Sequence, residues 1–256
     1  MLSKNQIKFV SSLQQKKFRI EYNLFIAEGN KIVKELLNSS LVVKQLYATS
    51  EFLVNERIES SIETFEINEK ELARISALTN VNQVLAVCEI PNYIFDIEAL
   101  QNKLTLVLDE IKDPGNLGTI IRIADWFGIE NIICSTHTAD IYNPKVVQSS
   151  MGSISRIKCH YLDLMTFFKE TKLKPQQPIY GALLKGENIY TKSLTKNGFI
   201  VIGNESKGIS ESITEYVTDK ISIPSFSYYK SNEGEAESLN AAIATSIICS
   251  EFRRRE

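Results

Sequence analysis

The sequence predicts an α/β protein in which a small α/β domain precedes a larger domain with a parallel sheet. Short apolar runs rich in β-branched residues alternate along the chain with segments whose apolar residues recur at helical spacing. Residues 199–202 form one unbroken apolar run, with Gly198 before it and Gly203-Asn204 after it. This pattern is typical of a strand that is buried in a parallel sheet and closed by a turn.

Length and charge limit the classes of protein to consider. With 256 residues and 43% hydrophobic content, the chain holds one large domain or a medium and a small one. The formal net charge is -2, so any nucleic-acid contact must come from local basic patches. No apolar run reaches the roughly 18 residues of a membrane span, and the N-terminus lacks the apolar core of a signal peptide. We expect a cytoplasmic protein without a membrane partner.

Cysteine and histidine give no sign of a metal site. Four cysteines are scattered without a CxxC pair, and we expect buried free thiols rather than disulfides: Cys88, Cys134, Cys159 and Cys249. His137 and His160 are isolated and have no partner in a recognisable motif. Three acids near the C-terminus are better explained by a solvated charged loop: Glu233, Glu235 and Glu237. We expect no metal.

Residues 1–92 are expected to form the small α/β domain. Strand-like and helical segments alternate in this region, and no catalytic group of residues is found there. The expected strands are residues 24–28, 41–48, 64–67 and 83–90. The expected helices are residues 30–37, 51–62 and 69–78, and Asn68 is placed to cap the last of them.

The first twenty residues carry positive charge without any acidic residue. Five basic residues lie there: Lys4, Lys8, Lys16, Lys17 and Arg19. Apolar residues recur near helical spacing, so we expect an amphipathic helix with a basic outer face. That face is either an ordinary solvated surface or an arm that contacts phosphates, with Lys16, Lys17 and Arg19 as the candidate contacts.

Residues 91–102 mix Pro, Asn, Asp and aromatic residues and are expected to link the two domains, so the second domain is placed at residues 103–256. Its expected strands are residues 104–108, 131–134, 154–161, 178–184, 199–202 and 220–223. Helices are expected from Leu117 to Gly128, from Pro144, over residues 163–171 and over residues 238–252. Loops are expected at residues 185–187 and 225–237.

Asn116 is expected to cap the helix that begins at Leu117. Arg122 follows six residues later between two isoleucines. Its guanidinium points either into a cleft or out to solvent. In the second case the aliphatic part of the side chain would lie along the apolar surface of the helix.

In an open α/β sheet, ligands bind beyond the carboxyl ends of the strands. Gly203, Asn204 and Glu205 therefore lie where chemistry is expected. Gly203 and Gly208 also have the spacing of the phosphate-binding loop GxxxxGK[ST], but Ile209 stands where that loop needs Lys. A nucleotide-dependent enzyme is therefore the weaker interpretation.

Three segments, taken in order, resemble the signature motifs of one family. They are Asn116-Leu117-Gly118 with Arg122, then Ile202-Gly203-Asn204-Glu205 with Gly208, and finally Ile223-Pro224 followed by Glu237-Ser238-Leu239-Asn240. Together they resemble the SpoU (TrmH) family of RNA ribose 2′-O-methyltransferases, within the SPOUT superfamily, over roughly residues 104–252. The first 90 residues are similar to the small L30e-like substrate-binding domain often fused to it.

The resemblance implies a SPOUT domain whose parallel sheet carries a deep trefoil knot. It also implies a homodimer whose active site draws on both subunits. The implied cofactor is S-adenosylmethionine, bound bent in the knot, and five residues are implied to hold it, largely through backbone groups: Gly203, Ile223, Leu239, Asn204 and Leu183. The implied partner is RNA, with ribosomal RNA favoured over transfer RNA.

The implied reaction moves a methyl group to a ribose 2′-hydroxyl. Arg122 is the residue that the family resemblance proposes for activating the hydroxyl, but arginine is normally never deprotonated in proteins. We therefore expect Arg122 to stabilise the forming alkoxide or an adjacent phosphate. Asn116 would fix Arg122 or the ribose, Glu205 would orient Arg122 or Asn240, and Ser238 would complete the polar cluster with Asn240. Arg122, Glu205 and Asn240 are thus expected to converge.

Two departures from the family pattern and one alternative remain. Ile123 follows Arg122 where a Thr is common, and the polar loop at residues 225–237 is longer than the compact version. The alternative is a catalytically silent RNA-binding homologue, which the presence of all five polar motif residues disfavours.

Overall fold

A computed structural model gives the architecture of residues 1–172, 177–226 and 238–254. The chain divides into two compact units. The first consists of Met1–Asn92 and Asp140–Arg156, and the second of Tyr93–Ala139 and Ile157–Glu256. Each unit has its own sheet.

The first unit contains a mixed four-stranded sheet in the order β1-β4-β2-β3. Its strands are β1 (Leu24–Glu28), β2 (Val43–Ala48), β3 (Glu63–Glu66) and β4 (Val84–Glu89). The β4 strand runs antiparallel to β1 and β2, and β3 runs parallel to β2. The helices are α1 (Lys4–Ser12), α2 (Lys16–Tyr22), α3 (Asn30–Leu37), α4 (Ser50–Asn55), α5 (Glu69–Leu72) and α7 (Pro144–Ser150).

Several local signals in the first unit act as expected. The α3 helix buries Ile32, Val33 and Leu36, which recur at helical spacing. Asn68 caps α5, where its Oδ1 atom accepts a hydrogen bond of 3.0 Å from the amide of Glu71. The helices predicted over residues 51–62 and 69–78 are shorter, however, and end at Asn55 and Leu72.

The single basic helix predicted for the first twenty residues is wrong, because the chain forms α1 and α2 with a break at residues 13–15. Arg19 explains the break. Its Nη1 atom donates to the carbonyls of Leu13 (2.9 Å) and Gln14 (2.8 Å), which an unbroken helix would use internally. Its Nη2 and Nε atoms donate to Asp140 Oδ2 at 2.6 and 3.1 Å.

This geometry corrects the assignment of Arg19 as an RNA contact. The side chain is only 2% exposed, and its guanidinium is already bound to a carboxylate and two carbonyls. A buried and paired guanidinium is not available to a phosphate. Lys16 and Lys17, by contrast, are exposed on the first turn of α2.

Residues 140–156 complete the core of the first unit, although the sequence placed them in the second domain. Val147 and Ile154 belong to the same apolar cluster as Phe25 and Val33. The ring of Tyr142 packs on that of Phe25, with centroids 4.8 Å apart. The α7 helix begins at Pro144 as predicted, and Asn143 caps it.

The second unit contains a six-stranded sheet in the order β10-β8-β9-β5-β6-β7, in which every pair is parallel. The strands are β5 (Leu104–Leu108), β6 (Asn131–Ser135), β7 (Lys158–Leu162), β8 (Ile179–Asn188), β9 (Gly198–Ile202) and β10 (Asp219–Ser222). The helices are α6 (Pro114–Trp126), α8 (Leu164–Lys172), α9 (Glu211–Thr214) and α10 (Ala241–Arg254). All residues of β5 and β9 are buried, so the predicted parallel sheet is confirmed.

The predicted start of α6 is wrong. Asp113, not Asn116, caps the helix, because its Oδ1 atom accepts from the Asn116 amide at 2.7 Å. Pro114 then occupies the first helical position, where its missing N–H costs nothing. The side chain of Asn116 is therefore left free for another role.

The loop predicted at residues 185–187 is also wrong, because β8 continues to Asn188. Residues 182–186 bulge out between two pairs with β10, Gly181 with Lys220 and Glu187 with Ile221. Gly186 allows this close passage, since a Cβ atom there would lie 2.7 Å from the carbonyl carbon of Ile221. The bulge stands at the carboxyl edge of β9, because Gly181 pairs with Val201.

Other expectations have simpler outcomes. Cys88, Cys134 and Cys249 are buried free thiols, as expected, whereas Cys159 is a free thiol that is only half-buried. The β7 strand begins at Lys158 rather than at residue 154. None of the helices within the described residues has the length and apolar content needed to cross a membrane. Most of the predicted polar loop, residues 227–237, lies outside the described residues.

The Arg19–Asp140 pair gives a test of the first unit. Arg19→Ala would leave a mostly buried carboxylate and two carbonyls without their donor, so we expect the free energy of unfolding to fall by about 3 kcal/mol. Lys44→Ala, which removes an exposed pair with Glu89, is the matched control and should cost less than about 1 kcal/mol. Urea unfolding measures both, and equal losses in the two variants would contradict a structural role for Arg19.

Candidate active site

The turn after β9 is shaped by one close backbone contact. The amide of Asn204 donates to the carbonyl of Gly208 at 3.0 Å, and the amide of Gly208 returns a bond of 2.8 Å. A Cβ atom on Gly203 would lie 2.2 Å from the carbonyl carbon of Gly208 and from the amide nitrogen of Ile209. Only glycine fits at position 203, which accounts for the Gly203-Asn204 signal in the sequence.

The end of β5 holds this turn in place. Asp109 is buried, and its Oδ2 atom accepts from the amide of Ser210 at 2.8 Å. The side-chain amide of Asn204 donates to the carbonyl of Glu110 at 2.9 Å. Glu110 has a φ of 57°, a conformation that L-residues rarely adopt. Two adjacent strands therefore fix the residues that follow them.

Three distant residues meet through one asparagine side chain. Asn240 Nδ2 donates to Asn116 Oδ1 at 2.8 Å, and Asn116 Nδ2 donates to Glu205 Oε1 at 2.8 Å. Each of the three comes from a different predicted motif. Asn240 is itself held, because its Oδ1 atom accepts from the amides of Ala242 (2.9 Å) and Ile243 (3.2 Å) at the start of α10.

Arg122 lies apart from this chain of hydrogen bonds. Six residues along a helix correspond to about one and two-thirds turns and about 9 Å, so Arg122 and Asn116 face different directions. The side chain of Arg122 is exposed and makes no hydrogen bond or salt bridge with the described residues. The structure therefore brings together Asn116, Glu205 and Asn240, but it does not bring Arg122 into contact with them within one chain. Ser238 is also exposed and unbonded in the described part of the chain.

Of the other predicted site residues, Gly203 and Asn204 follow β9, Ile223 follows β10, Leu183 lies within β8 and Leu239 precedes α10. Gly203, Asn204 and Ile223 are half-buried, and Leu183 of the β8 bulge packs partly against the core. Leu239 is 48% exposed. Two further large apolar side chains, which the sequence analysis did not single out, are more exposed, Leu184 at 77% and Phe226 at 79%.

Sequence reasoning also missed the residues that position the site. Asp109, Glu110 and Asp113 were not singled out from the sequence. The signal for Asp113 was present, since an Asp directly before a Pro is a common helix start. Nothing local in the sequence indicates that Asp109 binds Ser210, because the two residues lie far apart along the chain. Among the residues that the structure describes, no three His, Cys, Asp or Glu side chains are grouped to hold a metal ion.

Comparison with known proteins gives the family. The sequence profile of the SpoU rRNA Methylase family matches residues 103–250, which is more than half of the chain. The chain belongs to the SpoU rRNA methylase family. The profile of the MRM3-like substrate binding domain matches residues 4–86. The predicted family and fold class are thus confirmed, as is the predicted substrate-binding domain at the N-terminus.

Relatives of known name match along the whole chain. The Bacillus subtilis 23S rRNA (guanosine(2553)-2′-O)-methyltransferase RlmP is 29% identical over 253 residues, covering 98% of this chain and 97% of the relative. A solved structure from Porphyromonas gingivalis, assigned to the TrmH family of RNA methyltransferases, is 37% identical, with a TM-score of 0.89 and full coverage of both chains. An AdoMet-bound rRNA methyltransferase from Sinorhizobium meliloti is 29% identical, with a TM-score of 0.84, covering all of this chain and 96% of its own.

The turn after β9 allows a test with two glycines. We expect Gly203→Ala to force the turn open, at a cost of about 3 kcal/mol, because its Cβ meets backbone atoms that cannot yield. Gly208→Ala has no steric conflict and should cost only about 1 kcal/mol for its φ of 71°. The rate of hydrogen exchange at the amide of residue 208 shows whether its hydrogen bond to the Asn204 carbonyl is intact. Wild-type protection in Gly203→Ala would contradict the account of the turn.

Proposed function

We propose that this protein transfers a methyl group from S-adenosylmethionine to a ribose 2′-hydroxyl of ribosomal RNA. One observation carries the proposal: the hydrogen-bonded chain Asn240–Asn116–Glu205 joins the three family motifs at the carboxyl edge of the parallel sheet. The full-length similarity to the Bacillus subtilis enzyme supports the reaction and the class of RNA. We further propose residues 1–92 as the substrate-binding domain and residues 103–256 as the methyltransferase domain, of which residues 140–156 pack in the core of the first unit. We propose the cytoplasm as the location.

The residues around the β9 turn fit such a methyl donor. We assign Gly203, Asn204, Ile223, Leu239 and Leu183 to its binding, largely through backbone groups. The donor has apolar as well as polar parts, and three exposed apolar side chains lie at this edge to cover the apolar parts: Leu184, Phe226 and Leu239. When bound, S-adenosylmethionine would supply a methyl carbon on a positively charged sulfur, which would leave as a neutral thioether as the ribose oxygen takes the methyl group. The proton of the 2′-hydroxyl would pass to the Glu205 carboxylate or to water.

The hydrogen-bonded chain positions the ribose. Both the Oδ1 and the Nδ2 atom of Asn116 are hydrogen-bonded, which fixes the plane of its side-chain amide. The second N–H of Asn116 Nδ2 and the second N–H of Asn240 Nδ2 therefore point in defined directions. Glu205 uses only its Oε1 atom within the described residues, which leaves Oε2 to accept a hydrogen bond from the 2′-hydroxyl. A hydroxyl held by fixed groups attacks at a defined angle, and this orientation is a large part of the rate enhancement.

Arg122 enters the proposal through a second copy of the chain. Trp126 is 84% exposed on α6 and Ile243 is 53% exposed on α10, and these two helices pack against each other. Exposed apolar side chains on adjoining helices are typical of a subunit interface. We propose a homodimer that covers them, in which Arg122 stabilises negative charge in the active site of the partner subunit, with Ser238 contributing to the same polar cluster.

RNA contact by the first domain is assigned to Lys16 and Lys17, which are exposed and lie on the same helical turn. Arg19 supports this turn through its buried bonds and does not itself contact RNA.

Other functions fit less well. In a phosphate-binding loop the residue after Gly208 would be a Lys that reaches the ligand, whereas Ile209 is 6% exposed and part of the core. A silent RNA-binding homologue would have no reason to keep the Asn240–Asn116–Glu205 chain intact. The same chemistry on transfer RNA remains an outcome that mapping of ribose methylation in cells with and without the protein would reveal.

Methyl transfer in mixed dimers tests the proposal. Arg122→Ala and Asn240→Ala should each lower the rate of methyl transfer to 23S ribosomal RNA by about 100-fold or more, because each removes a polar group at the reacting atoms. When both variants are co-expressed, half of the dimers are mixed, and each mixed dimer contains one intact site if Arg122 acts across the interface. We expect about a quarter of the wild-type rate from the co-expressed sample.

The control is each variant expressed alone and mixed only after purification under conditions that block subunit exchange. Restored activity only on co-expression supports action across subunits. An absence of restoration, or a monomer in light scattering, would contradict the dimeric site, and an inactive wild type would contradict the enzyme assignment.

A further inference from the structure

Two lysines and a histidine from three loops lie around Glu110 at the carboxyl end of the second sheet. Lys112 Nζ lies 3.1 Å from Glu110 Oε2. The hydrogen bond and charge of Lys112 hold the pKa of Glu110 below its ordinary value, and His137 and Lys207 lower it further. We refer to Lys112, His137 and Lys207 as the rim cluster. They come from the segments that follow β5, β6 and β9.

The rim cluster is available to a ligand. The side chains of His137 and Lys207 are exposed and form no hydrogen bond or salt bridge with the described residues, and Lys112 is 58% exposed. The acids nearby are already engaged. Glu110 forms a salt bridge with Lys112. Asp113 accepts a hydrogen bond from the backbone amide of Asn116, and Glu205 accepts one from the side-chain amide of Asn116. Glu110 is thus paired with Lys112, while the exposed ammonium group of Lys207 has no ion-pair partner within the described residues and can meet an incoming anion.

The backbone that carries the rim cluster is held by hydrogen bonds. Asn204 Oδ1 accepts from the amide of Lys207 at 3.1 Å. The amide of Glu110 donates to Ser135 Oγ at 2.9 Å, and Ser135 Oγ lies 3.0 Å from Thr138 Oγ1, which ties down the loop of His137. Because the backbone is already fixed, less conformational entropy is lost when the side chains of the rim cluster become ordered on a charged ligand.

The position of the rim cluster next to the proposed ribose site indicates which anion it binds. Lys207 lies two residues after Glu205 on the same turn, and Lys112 directly precedes the Asp113 cap of the helix that carries Asn116. The rim cluster therefore flanks the Asn116–Glu205 hydrogen bond, where a ribose is proposed to sit. In a nucleic acid, each ribose is joined to a phosphate on either side.

We propose that the rim cluster binds the RNA backbone phosphates that flank the target ribose. This inference rests on the proposed function and assigns a substrate role to Lys112 and Lys207. Lysine binds phosphate as a point charge, independent of base sequence, so these contacts would set the register of the RNA rather than choose the base. Glu110 would keep Lys112 extended towards the site in the absence of RNA.

Salt-dependent binding to a 23S ribosomal RNA transcript tests the proposal. For the double variant Lys112→Gln/Lys207→Gln we expect about tenfold weaker binding, and a slope of log affinity against log salt that is shallower by about 1.4 for two lost single-strand contacts. In steady-state assays the KM for RNA should rise similarly, with unchanged affinity for S-adenosylmethionine. Lys196→Gln is the matched control, since Lys196 is exposed, unbonded within the described residues and at the opposite end of β9.

The outcomes separate the inference from the proposed function. A shallower slope in the double variant but not in Lys196→Gln supports the rim cluster, whether or not the wild type methylates the transcript. An unchanged slope, or an equal change in the Lys196→Gln control, overturns it. Glu110→Gln adds an independent check, because it frees Lys112 of its counter-charge. This variant should bind RNA more tightly, and weaker binding would count against the proposal.

Discussion

The side-chain amide of Asn116 is the link on which the candidate site depends. It accepts a hydrogen bond from Asn240 and donates one to Glu205. One planar group therefore connects the N-terminus of α10 with the turn after β9. That link exists only because Asp113 starts α6 three residues earlier and caps it through the Asn116 amide. If Asn116 were the cap, its side chain would be occupied by its own helix.

Each partner of Asn116 is held by an independent constraint. Asn240 caps α10, and Glu205 lies on a turn that Gly203 closes by a backbone contact too tight for any Cβ atom. Asp109 and Asn204 then fasten that turn to the end of β5. The polar groups at the edge of the sheet are thus oriented before any ligand binds, which is the condition under which fixed dipoles accelerate a reaction.

Local patterns predicted the elements that depend on local interactions. The β1 and β5 strands and the α3 helix have the expected bounds, because burial periodicity and flanking turn residues define them. The motifs also predicted the family. Of the three residues expected to converge, Glu205 and Asn240 are joined through Asn116, whereas Arg122 lies apart from them within one chain. Features that depend on distant partners were missed. Arg19 is buried because of Asp140, and β8 extends past its expected end because a bulge lets it pair again with β10. Arg122 stands apart because a six-residue spacing turns it away from Asn116, which pattern alone did not decide.

A double-mutant cycle between Asn116 and Asn240 tests the central link most directly. The quantity to measure is kcat/KM for methyl transfer in Asn116→Ala, Asn240→Ala and the double variant. If the two side chains act through one hydrogen bond, the double variant should lose about as much activity as the more damaged single variant, which is the signature of coupled residues. Losses that add independently would contradict the account.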